Sequence, residues 1–164
     1  MFRGIKLWFT DRNYYYQRKR YMKRQKAVRK ELMRQVKEFN PWSGYYMHKM
    51  VVTMLEFYYK TYEAKDCCWS ESAWNDTVAN SLKEALVFAE KLDQIDDLKE
   101  PELIELAKKD EVLFTDYLKH YEEEVGYLME SEALLSGVAY NYLEKKYTTA
   151  LYNVIGNHIW EWMD

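Results

Sequence analysis

Glycine and proline are scarce in this chain, at five and two residues among 164. A β-rich fold of this size needs many tight turns, and turns draw on those residues. Helical connections can be few and short, so the scarcity favours long helices. The two cysteines, Cys67 and Cys68, are adjacent. Neighbouring cysteines rarely pair with each other, and no second pair exists to build a disulfide framework or a zinc site. Such usage suits a reducing cytoplasm. No apolar run approaches the roughly 18–20 residues of a membrane span. Residues 1–9 carry too little continuous apolar length for a signal peptide. The expectation is a soluble, cytoplasmic protein with no membrane partner.

Catalytic signatures are missing as well. The glycines (Gly4, Gly44, Gly126, Gly137 and Gly156) stand too far apart for a phosphate-cradling loop. No Gly-x-Ser-x-Gly elbow occurs. A helical di-iron site needs two Glu-x-x-His pairs and two further glutamates, and only the reversed pair His158-x-x-Glu161 is present. Asp116 and His120 lie four apart, the spacing of an acid–base pair and equally of an ordinary surface contact on a helix. Cys67 or Cys68 with His48 could make a nucleophile pair, but nothing fixes their geometry, and a small buried cysteine is the usual outcome. No catalytic residue, metal ligand or cofactor is therefore assigned. The expected class is a binding protein and not an enzyme.

Aromatic residues are abundant: 16 tyrosines, six tryptophans and six phenylalanines. Such rings fill a helical core while carrying a polar handle to its rim. They can also form a stacking platform for a base or a partner. The net charge of −3 conceals a strong asymmetry. Residues 1–40 hold 13 Lys/Arg against three acids, a balance of +10; the remainder holds 11 against 24, a balance of −13. A basic arm on an acidic body can bind an external anion. It can equally pair with the acidic body, within one chain or across an oligomer, because opposite charges neutralise each other best when adjacent. Both readings stay open.

Periodicity predicts an all-α fold: one domain over 1–164, a bundle of about five helices with a long basic N-terminal helix. The first helix is expected over about 11–39, with Asp11 as N-cap and Tyr14, Tyr21, Val28, Leu32 and Phe39 on an apolar stripe, Met22, Met33 and Val36 alongside. Asn40-Pro41 breaks it. A second helix, over about 44–64, is apolar nearly all round, which predicts a central place in the bundle. Ser70 is expected to cap a third helix reaching about Leu92. Pro101 suits the first turn of a fourth, which runs to about Glu130 with candidate breaks at Lys109-Asp110 and Gly126. The last helix is expected over about 131–162, where Gly137 and Gly156 weaken it or admit close packing.

The strongest charge feature is Arg18-Lys19-Arg20, followed by Lys23-Arg24, Lys26 and Arg29-Lys30, with Tyr14-Tyr15-Tyr16 and Tyr21 interleaved. Arginine offers phosphate a rigid fork and lysine a point charge. Together with stacking rings they are what a nucleotide or a single strand needs. A solvated helix face has the same composition. Duplex DNA fits less well, since the body is acidic and no DNA-reading motif occurs. His48 and Lys49 sit among apolar neighbours, either as a satisfied core histidine and a snorkelling lysine or as polar contacts in an interhelical pocket.

The run Phe39-Asn40-Pro41-Trp42-Ser43-Gly44-Tyr45-Tyr46, leading into an apolar helix that ends Phe57-Tyr58-Tyr59, resembles a group of small, mostly uncharacterised phage proteins. Their pattern is Pro-Trp-Asp, an aromatic residue and an apolar helix. A segment like Ser72-Ala73-Trp74-Asn75-Asp76-Thr77-Val78-Ala79 follows, and the group often ends in His-Ile and a Trp-Trp-Asp. Here the end is His158-Ile159-Trp160-Glu161-Trp162-Met163-Asp164. The similarity covers roughly residues 39–92 and 151–164. Ser43 stands where the group has aspartate, and the basic arm lies outside the pattern.

The resemblance implies a phage origin, action in the host cytoplasm and an all-helical fold. It also implies a counter-defence role by binding, for example as a sponge that sequesters a nucleotide-derived immune signal. On this reading Trp42, Tyr46 and Trp69 stack on a base, and Arg18, Arg20, Arg24 and Lys49 hold phosphates. The expected partners are a nucleotide-like anionic small molecule and further copies of the chain. The alternatives are direct inhibition of a host protein and, less favoured, single-stranded nucleic-acid binding through the basic helix.

Overall fold

The computed structural model describes the backbone of residues 2–38, 44–63, 76–126 and 131–163, and the side chains of 12–38, 47–63, 77–126 and 131–162. The described chain is all-helical: α1 (Phe2–Glu38), α2 (Gly44–Glu63), α3 (Asp76–Ile95), α4 (Glu100–Lys108), α5 (Glu111–Val125) and α6 (Glu132–Met163). No strand occurs among the described residues. The count is one above the five expected, because the fourth predicted helix is two. It breaks at Lys109-Asp110, and Gly126, at φ 73°, closes α5 in the left-handed conformation that glycine adopts without strain.

Contacts divide the chain into two compact units, Met1–Leu86 with Val154–Asp164, and Val87–Asn153. The first holds 17 Lys/Arg and 11 Asp/Glu, a balance of +6; the second holds seven and 16, a balance of −9.

In the first unit α1 and α2 pack as an antiparallel pair, as a five-residue connection favours. Tyr21 meets Phe57, with ring centroids 6.0 Å apart, and Gln35 reaches Thr53 at 2.8 Å. Among the described residues, the buried apolar ones are Leu55, Phe57 and Tyr62 of α2, Val78, Leu82 and Ala85 of α3, and Trp162 of α6. Val78, Leu82 and Ala85 follow the four-then-three spacing of one helix face. Burying a leucine such as Leu82 contributes about 1.5–3 kcal/mol.

In the second unit the core gathers Ile95, Leu103, Ile104, Ala107, Phe114, Ala139, Tyr142, Leu143 and Tyr147. Phe114 and Tyr117 both face Tyr142, with centroids 5.2 and 5.4 Å away. Helix ends are closed locally. The Lys99 N–H donates to Glu102 Oε2 at 2.9 Å at the start of α4, beside Pro101. Ser131 Oγ accepts the Leu134 N–H at 3.2 Å at the start of α6.

Several sequence expectations need correction. α1 starts at Phe2, so Asp11 lies inside the helix and is not its N-cap. α2 is half-buried along most of its length, and Met47 is half exposed, so it is one partner of a helix pair and no central rod. Its apolar residues serve α1 on one side and a groove on another. Gly137 and Gly156 admit no close packing, since an added Cβ meets nothing within 4 Å. Ser70 lies outside the described residues. No helix among the described residues is long and apolar enough to cross a membrane.

Candidate functional site

α1 concentrates charge because its solvent side has no need of apolar residues. Between Arg12 and Glu38 it holds eleven Lys/Arg and two acids. Both acids serve Arg34, which donates to Glu31 at 2.5 Å and to Glu38 at 2.8 Å. The Arg34 guanidinium holds the Glu31 carboxyl below the usual range, and the two carboxylates raise the Arg34 pKa in turn. A balance of +9 is left over 27 residues, about 40 Å of helix.

Two features lie along this helix. Toward its N-terminal half, Tyr14, Tyr15 and Tyr16 are 46%, 61% and 45% exposed. Tyr15 and Tyr16 meet edge to face at 5.7 Å, and the Arg12 guanidinium stands 5.7 Å from the Tyr16 ring centroid. Helical spacing places Lys19 one turn beyond Tyr15, and Arg20 one turn beyond Tyr16 with Lys23 a turn further. Exposed rings and cations thus share a surface.

Further along, α1 and α2 enclose an open groove of about 1110 Å³. Tyr21, Val28 and Leu32 of α1 and Met54, Phe57 and Tyr58 of α2 line it. Burial pushes the Tyr58 phenol above its ordinary pKa. The outer edge is α1's own, with Met22, Met33 and Val36 about half exposed and Lys23, Lys26 and Arg29 beside them. Methionine suits such a surface, being flexible and polarizable.

The residues singled out from sequence do not form one cluster. Arg18 and Arg20 are exposed on α1. Two residues apart on a helix, they point to different sides. Arg24 is half-buried, and its Nη1 donates to the Lys60 carbonyl at 2.7 Å. That carbonyl lies in the last turn of α2. Arg24 therefore ties two helices together. Lys49 is half-buried on α2. Its charge acts on Glu31, some two turns along α1 from Arg24. Trp42 and Trp69 lie outside the described residues, as does the side chain of Tyr46. Lys23, Lys26 and Arg29, which are not among the ligands expected from sequence, stand at three-residue spacing along the groove.

The second unit has a shallower cleft of about 580 Å³ between α5 and α6, lined by Leu113, Asp116, Tyr117, His120, Lys145 and Asn153 among others. His120 does not pair with Asp116; its Nε2 lies 3.4 Å from Glu124. Lys145 sits over the Tyr117 ring at 5.7 Å. Lys146 is bonded to Asp110, which also accepts from Tyr142. His158 is held by Glu161 at 2.8 Å. Among the described residues no three His, Cys, Asp or Glu side chains are grouped to hold a metal ion.

No protein-family model matches the chain, and neither does any curated protein or solved structure.

Proposed function

We propose that this protein is a non-catalytic binder of a nucleotide-like anion and acts by stoichiometric capture. The observation that carries the reading is the exposed Tyr15–Tyr16 pair beside Arg12, Lys19 and Lys23 on α1. A ring stacked on a base contributes about 1–3 kcal/mol and tolerates any base. Neighbouring guanidinium and ammonium groups supply the phosphate contacts. Arg18 and Arg20 flank this surface, one at each edge. Arg24 and Lys49 act at the α1–α2 contact, while Trp42, Tyr46 and Trp69 stay proposed as stacking residues.

In the phage setting that the sequence resemblance implies, capture lowers the free concentration of a nucleotide immune signal. Affinity and copy number suffice, and no bond is made or broken. The test is native mass spectrometry of the purified chain, alone and with a panel of cyclic dinucleotides and ADP-ribose derivatives. A stoichiometric adduct released intact on denaturation is expected. An absence of adducts across the panel overturns the reading. Binding of oligodeoxythymidine with steep salt dependence, without an adduct from the panel, replaces it with single-strand binding.

A further inference from the structure

The α1–α2 groove shares Lys23 with the tyrosine face, is otherwise lined by other residues, and takes a different kind of occupant. We propose that it seats α5 of a second copy of this chain. The groove wall is apolar, yet its rim carries Lys23, Lys26 and Arg29 on a helix stretch of charge +9. A groove-to-groove dimer would set two such stretches against each other, and like charges in contact are repulsive. The occupant must bring acid together with apolar side chains.

α5 does both. It holds five acids and one lysine within Glu111–Val125, a balance of −4. Val112 and Leu113 are 72% and 64% exposed, large values for such side chains. Asp116 follows them one turn on, and Glu123 follows two turns after that on the same stripe; both are exposed. Lengths agree too. Fifteen residues of α5 span about 22 Å, and the groove runs along α1 from Tyr21 to Val36, also about 22 Å. Docking an amphipathic helix by its apolar side chains in such a groove is a common recognition mode. With α5 antiparallel to α1, Val112 and Leu113 meet Met33, Asp116 one turn on faces Arg29, and Glu123 two turns further lies near Lys23 and Lys26.

The contact joins two different surfaces, so it is heterologous, and copies add head to tail into rings or filaments. That property gives a sharp test, independent of any nucleotide. One variant, Lys26→Glu with Arg29→Glu, reverses the groove rim. The other, Val112→Glu with Leu113→Glu, blocks the ridge. All four residues are exposed, and circular dichroism checks that helicity is kept. Sedimentation velocity should show the unaltered chain forming species larger than a dimer as concentration rises. Each variant alone should stay monomeric. Mixed in equal amounts they should form a one-to-one heterodimer and stop there, because each retains one competent surface. A monomeric unaltered chain at every concentration overturns the proposal, as do variants that assemble like it or a mixture that stays monomeric.

Discussion

Gln35 of α1, 2% exposed, donates through Nε2 to Thr53 Oγ1 of α2 at 2.8 Å, and Thr53 in turn donates to the Lys49 carbonyl at 2.9 Å. A polar bond inside an apolar helix pair fixes how the two helices are aligned, since any slide leaves buried donors unmet. The groove depends on that alignment. Gln35→Ala should lower stability by about 1–3 kcal/mol in urea unfolding, through the lost bond and the space left behind. Gln35→Met keeps the volume and should cost clearly less. Equal losses from both would mean that the lost bond, and not the space left behind, carries the cost.

Trp160 and Trp162 give a second contrast. Two positions apart on α6, they lie on nearly opposite sides. Trp162 is 2% exposed and its Nε1 donates to Ser81 Oγ at 2.9 Å, whereas Trp160 is 74% exposed. Trp162→Ala should destabilise by about 3–5 kcal/mol, and Trp160→Ala should stay within about 0.5 kcal/mol of the parent. Thermal unfolding of the two variants separates them.

Acid stability should depend on Asp110. Its hydrogen bond to the Lys146 ammonium holds the carboxyl below its ordinary pKa, with the Tyr142 hydroxyl assisting. A folded pKa lower than the unfolded one contributes stability above the unfolded value of about 3.9 and loses it as pH falls through the folded value. Asp110→Asn should therefore destabilise at neutral pH and flatten the loss below pH ~4. A variant with an unchanged acid limb would remove Asp110 from it.

At the alkaline end, Tyr140 donates to Asp96 at 2.6 Å, and its phenol is pushed up to about 12. A raised folded pKa gives stability that is complete below the unfolded value of about 10 and lost as pH rises through the folded one. Spectrophotometric titration of phenolate should lose its latest component in Tyr140→Phe. Asp96→Asn should move that component down.

Much of the fold is legible in the residues. Few glycines and prolines forecast helices, Pro101 and Gly126 mark ends correctly, and Lys109-Asp110 is a real break. The misses have physical causes. Asp11 is a good cap by type, but capping preference is local, and α1 already has helical backbone before it. The apolar girth of α2 suggests full burial, yet part of it lines the groove, and periodicity cannot tell a core face from a groove face. Arg24 shows the same limit at the site. Its place in a basic cluster suggests a phosphate ligand, but the geometry directs it to a carbonyl at the end of another helix. The spacing of Lys23, Lys26 and Arg29 is legible, but only the position of α2 makes that side of α1 the rim of a groove.

The most direct measurement is calorimetric titration of a cyclic dinucleotide into the unaltered chain and into a Tyr15→Ala, Tyr16→Ala, Arg18→Ala variant of unchanged helicity. Saturable binding to the first and a loss of at least about tenfold in affinity in the second are expected, since each ring contributes about 1–3 kcal/mol. Equal affinity in both, or no binding to either, would contradict capture on this face of α1.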